Sequence, residues 1–168
     1  MRKGLLWIVL ALILIVVNAM IFGKEKILAE GETMLLQLAP RDPRSLMQGD
    51  YMALRYSLAN EIRQKTPEQV SIDGQVVVTL DQQGVAQYVR LHDPSTTLAA
   101  NEKLLRFRQR GDQLRLASNA YFFQEGHGVY YRDARYGELR VSSDGDAVLI
   151  GLRDNRYQVL RPETPSED

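Results

Sequence analysis

The pattern of hydrophobic and polar positions divides the chain into two unlike parts. From Leu5 to Phe22 every residue is apolar except Asn18. A helix needs about 20 such residues to cross the hydrocarbon core of a bilayer, so Gly4 to Gly23 is just long enough to span. Arg2 and Lys3 precede the run, and by the positive-inside rule they place the N-terminus in the cytoplasm. Lys24 and Lys26 on the far side weaken that bias, with Glu25 between them. Trp7 lies near the cytoplasmic end, where an interfacial aromatic belongs. The alternative is a cleavable signal peptide, because Val17-Asn18-Ala19 has the small-residue spacing of a cleavage site. Against it, the apolar run continues through Met20, Ile21 and Phe22. The expectation is an uncleaved anchor over residues 1–23, then a short polar stalk over 24–31.

Beyond the stalk the period changes to two. Glu32 to Ala39 reads as a strand. Gln75 to Leu80 and Val85 to Leu91 read as a hairpin around Asp81-Gln82-Gln83-Gly84. In the return strand Val85, Gln87, Val89 and Leu91 share one face, and Ala86, Tyr88 and Arg90 the other. Lys103 to Arg110 alternates cleanly, with Leu105 and Phe107 inward and Arg106, Arg108 and Arg110 outward. It turns at Gly111-Asp112 and returns over Gln113 to Leu116. Tyr121 to Gln124 leads into the glycine-flanked Glu125. Val129 to Tyr136 reads as a short helix ending at Gly137. Glu138 to Ser142 and Ala147 to Leu152 form a third hairpin, and Tyr157 to Leu160 a last edge strand. Thr66 to Ser71 and His92 to Asn101 are loops around prolines. Short strands joined by Gly/Asp turns predict a mainly β (α+β) domain over 32–160, antiparallel, with one or two short helices. Residues 161–168 read as a disordered polar tail.

Composition narrows the compartment and partners. The 168 residues carry 21 basic and 21 acidic side chains, so no global field recruits nucleic acid. There is no cysteine, which excludes disulfides and thiol chemistry and is compatible with an oxidising compartment.

The densest stretch is Asp42 to Tyr56. Pro40 and Pro43 fix φ and remove donors, so a loop precedes Arg44. Asp42-Pro43 reads as a cap and first-turn pair, with a short turn through Met47 that Gly49 closes. Tyr51 to about Ser57 reads as a strand with Met52, Leu54 and Tyr56 on one face, followed by a helix to about Lys65. Gly49-Asp50-Tyr51-Met52-Ala53-Leu54-Arg55-Tyr56 resembles the signature of the bacterial GDYXXLXY family at every fixed position. Phe123-Gln124-Glu125-Gly126-His127-Gly128, followed by Gly137-Glu138-Leu139-Arg140-Val141, resembles a second block of that family. The resemblance covers most of residues 32–153. It implies a small membrane-anchored protein, associated by gene neighbourhood with multispanning membrane proteins.

Candidate chemistry is sparse. Asp50 is an acid, base or ligand on one reading, and a turn-closing cap beside Gly49 on the other. Arg44 pairs with Asp50 or binds an anion. His92 and His127 are the only imidazoles, and Glu125-x-His127 is a weak metal spacing, so no metal or cofactor is expected. A serine–lysine hydrolase would need Ser45 beside Lys103. The arginine face at 106, 108 and 110 could hold anionic headgroups, which leaves a small-ligand or anionic-lipid sensor as an alternative. The leading expectation is a non-enzymatic periplasmic module, anchored in the bacterial inner membrane, that binds a multispanning partner. Asp42, Arg44, Gly49, Asp50, Tyr51, Leu54, Tyr56, Glu125, Gly126 and Gly128 are its candidate contact residues. The two motif blocks are expected to lie close together.

Overall fold

A computed structural model of the chain describes residues 2–40, 47–48, 51–65, 73–111 and 113–162. The first element is α1, Arg2–Glu30, one unbroken helix. Its stretch from Leu6 is long and apolar enough to cross a membrane, and none of the apolar window is buried against the rest of the chain. The stalk residues 24–30 are therefore the last turns of α1. There Ile27 is buried at the domain surface, and its carbonyl accepts the Gly31 N–H at 2.9 Å.

The domain is antiparallel and mainly β, as its period-two pattern predicts. Its strands are β1 (Glu32–Gln37), β2 (Met47–Gln48), β3 (Tyr51–Ala53), β4 (Asp73–Leu80), β5 (Ala86–Leu91), β6 (Glu102–Arg110), β7 (Gln113–Leu116), β8 (Ala120–Phe122), β9 (Tyr136–Val141) and β10 (Ala147–Arg153). A second helix, α2, spans Ser57–Lys65. The strands form three sheets, ordered β1-β9-β10, β2-β3-β8 and β5-β4-β6-β7. Backbone ties join them. Leu35 donates to the Gly84 carbonyl at the start of the second hairpin strand, Arg106 donates to Gly145 at the β9–β10 turn, and Leu38 bridges Tyr56.

The core collects the inward side of each element. Met34 and Leu36 come from β1, Val76 and Val78 from β4, Leu105 and Phe107 from β6, and Leu139 and Leu152 from the β9–β10 hairpin. On α2 the buried residues are Leu58, Ala59 and Ile62, spaced as one face of a helix.

Three expectations change. The predicted helix from Val129 to Tyr136 is a 3₁₀ turn over His127–Tyr131 instead. Tyr136 and Gly137 are drawn into β9, where Gly137 pairs with Leu36 on one side and Leu152 on the other. Tyr157 to Leu160 supplies only a bridge between Val159 and Arg153, because Tyr157 sits at φ 63° and breaks an extended run. In β5 the strict alternation fails at a bulge: Val77 pairs with Arg90 and Val78 with Tyr88, leaving Val89 extra and outward. Tyr88 and Leu91 consequently both pack on the core. The expected loop at Thr66–Ser71, the turn from Asp42 to Leu46, and the tail beyond residue 162 lie outside the described residues.

Candidate functional site

The site is built on β3, the short strand of the signature. Alternation buries Met52, Leu54 and Tyr56 at 5% exposure or less, and leaves Tyr51 and Arg55 exposed. The central position of β3 between β2 and β8 fixes this orientation: Tyr51 pairs with Gln48 on one side and Phe122 on the other.

Tyr56 is the structural pivot of the signature. Its hydroxyl donates to the Ser118 carbonyl at 2.8 Å, and burial pushes its pKa well above the usual tyrosine value. Its ring lies over Gly137, where an added Cβ would stand 3.0 Å from the Tyr56 Cε1. The last residue of the first motif block and the glycine of the later Gly-x-Leu-x-Val strand thus meet in the core.

At the surface the first block lies beside the strand that leads into the second. β3 pairs with β8, and β8 runs directly into the Glu125-Gly126 turn. The Tyr51 and Phe122 rings lie 5.8 Å apart, and Phe122 is 74% exposed. Beneath them Tyr131 packs edge-on against Tyr121 at 5.1 Å and stacks on Phe123 at 5.3 Å. Burial is the main cause that raises the Tyr131 pKa to about 12, helped by its hydrogen bond to Tyr121. Gly126 enters the 3₁₀ turn at φ 81°, a left-handed conformation that a side chain resists. Gly128 is buried within that turn, and Glu125 is exposed on its rim.

The candidates therefore separate. Tyr51 and Glu125 are on the surface, Leu54 and Tyr56 are core, and Gly126 and Gly128 shape the turn. Asp42, Arg44, Gly49 and Asp50 lie outside the described residues. So does Ser45, while Lys103 is engaged by Glu32 at 2.7 Å. Phe122 was not among the candidates. Its signal is the run Tyr121-Phe122-Phe123, because three consecutive aromatics in an extended segment cannot all face inward. Cavities flank the signature strand. One of about 140 Å³ is lined by Leu54, Tyr56 and Arg63 together with Leu114 and Leu116. A smaller one, about 40 Å³, lies between Ala39, Ala53 and Arg132. Among the described residues no group of three or more His, Asp or Glu converges as a metal site.

A long apolar N-terminal helix leading into a β-rich domain, with a central short strand that begins at the signature Tyr51, defines the class of this chain. The family model of the GDYXXLXY protein matches residues 13–152, and the chain belongs to that family. No curated protein and no solved structure matches it.

Proposed function

We propose that this protein is a single-pass bacterial inner-membrane protein whose domain lies in the periplasm and binds a multispanning membrane protein without catalysing a reaction. The exposed Tyr51–Phe122 pair carries this reading. A phenyl ring left 74% in water loses most of its burial free energy, and exposed aromatics of this kind are the usual anchors of protein interfaces. Tyr51 sits on a strand held on both edges and Phe122 on the strand paired beside it, so the two rings are presented on a hydrogen-bonded backbone. The α1 helix keeps that surface within reach of membrane neighbours. Lys103, the base that a serine–lysine hydrolase would need, is held instead in an ion pair with Glu32 at 2.7 Å.

Photo-cross-linking tests the proposal. A photoreactive phenylalanine replaces Phe122 in the full chain in its native membranes, with Val89 on the four-stranded sheet as the control position. An adduct with an integral membrane protein from position 122, absent from position 89, is the expected result. Monomer alone, or the same adducts from both positions, refutes the partner reading. Protease treatment of spheroplasts tests the orientation separately, and a domain cleaved only after cell lysis rejects the periplasmic placement.

A further inference from the structure

We infer that a second face of the domain, beside the end of α1, binds a phosphate-bearing anionic group. The outward row of β6 supplies Arg106, Arg108 and Arg110, and β7 adds Arg115 directly opposite Arg108. These four and Lys24 of α1 line one open cavity of about 280 Å³. Among the described residues Asp146 is the only carboxylate in its lining, and it lies 3.3 Å from Arg106. Arg110 reaches Asp73 at 3.7 Å. Among the described residues Lys24 and Arg115 have no carboxylate partner.

Like charges directly opposite across two strands destabilise a sheet. The Arg108–Arg115 pair carries that cost, offset on the other side of Arg108 by Asp73, which lies opposite it on β4, and Lys24 adds a further cation to the same space. An anion in the cavity would remove the repulsion and gain the forked guanidinium geometry that suits phosphate oxygens. The position of Lys24 indicates the source. It follows Phe22, the last residue of the apolar run, by two positions, or roughly 3 Å of helix rise. Each headgroup layer is about 5–8 Å thick, so a spanning α1 sets the cavity rim at the depth of lipid phosphates. This depth argument rests on α1 being an anchor, whereas the convergence of cations does not.

The full chain in a neutral detergent is titrated calorimetrically with short-chain phosphatidylglycerol, short-chain phosphatidylcholine and inorganic phosphate. Phosphatidylglycerol binding about tenfold tighter than phosphatidylcholine, and weakening as salt rises, is the expected result. Arg108→Gln with Arg115→Gln should lower that affinity about tenfold, while Arg161→Gln, outside the cavity, leaves it unchanged. The double variant should melt at or above the wild-type temperature, because it removes a repulsion. A purely structural role for the two arginines would instead lower it. Inorganic phosphate binding as tightly as phosphatidylglycerol supports the site and makes a soluble phosphate its ligand. Equal affinity for both lipids without phosphate binding, or unchanged affinity in the double variant, overturns the inference. Carbonate extraction of native membranes reads the anchor independently: release of the protein refutes the anchor and leaves the cation site standing.

Discussion

Substituting Gly137 by alanine tests whether the two motif blocks are locked together through Tyr56. The new methyl would stand 3.0 Å from the Tyr56 Cε1 and 3.3 Å from the Leu149 Cδ1, inside the normal contact range of about 3.5–4.0 Å. Neither side can yield easily. The Tyr56 ring is buried and its hydroxyl is tied to Ser118, while Gly137 is paired in the centre of its sheet. Overpacking of this kind costs about 1–3 kcal/mol. Alanine recovers about 0.5–1 kcal/mol through the reduced freedom of its unfolded chain. The net loss is then between about 0 and 2.5 kcal/mol, centred near 1 kcal/mol, or a melting temperature lower by about 3–5 °C. All eight tyrosines lie outside α1 and the single tryptophan, Trp7, lies in it, so the change in near-UV tyrosine ellipticity of the full chain in detergent, taken against the Trp7 baseline, follows the domain. The decisive measurement is a double-mutant cycle with Tyr56→Leu, which removes Cε1. In that background Gly137→Ala should cost at least about 1 kcal/mol less. Strictly additive losses would mean that the Tyr56 ring does not dictate glycine at 137.

Two further outcomes follow from the buried polar groups. Glu138 is 8% exposed and accepts two hydrogen bonds from Arg153, at 2.6 and 2.9 Å, so Glu138→Ala should cost about 3 kcal/mol in urea unfolding. Glu138→Ala combined with Arg153→Met should recover part of that loss, because no charge is then stranded. Tyr131 and Tyr136 both have pKa values raised to about 12, Tyr131 chiefly by burial and Tyr136 chiefly by its hydrogen bond to Tyr157. Since the folded state keeps these protons longer than the unfolded one, the stability they contribute is complete below pH 10 and is lost as pH rises from 10 towards about 12. Tyr131→Phe should flatten that alkaline decline in pH-dependent melting, and an unchanged slope would refute the linkage.

The hairpins were legible because each combines alternation with a turn that sequence alone identifies. Met52, Leu54 and Tyr56 fell on one buried face as their period requires. Bulges were not legible: Val89 in β5 and Ile150 in β10 are extra residues whose exposure depends on the register of the neighbouring strand. The span from Val129 to Tyr136 failed for a related reason, since pairing with β1 and β10 claims Tyr136 and Gly137. No local propensity signals that competition. The arginine row was visible on one strand, but its meeting with Arg115 and Lys24 was not. Arg115 lies opposite Arg108 by strand register, and Lys24 arrives from a helix more than eighty residues away in sequence. Residues far apart in sequence form a site only after the core has set the distance between them.

The two surfaces make different demands on the fold. The aromatic pair needs a rigid platform: Tyr51 stands on β3, which pairs on both edges and is fastened to the core by Tyr56, and Phe122 stands on β8, paired along β3. The basic cavity needs proximity to α1. That proximity is set where Ile27 is buried, and where the Arg140 guanidinium donates to the Gly31 carbonyl at 2.8 Å. Arg140 lies on β9, the same strand whose Gly137 receives the Tyr56 ring. A single strand therefore links the orientation of α1 to the signature strand. Arg140→Ala should loosen the helix–domain junction without touching either surface. Amide exchange at Ile27–Gly31 should rise on that substitution while exchange in β3 stays protected. Equal loss of protection in both would mean that the junction and the signature strand unfold as one unit.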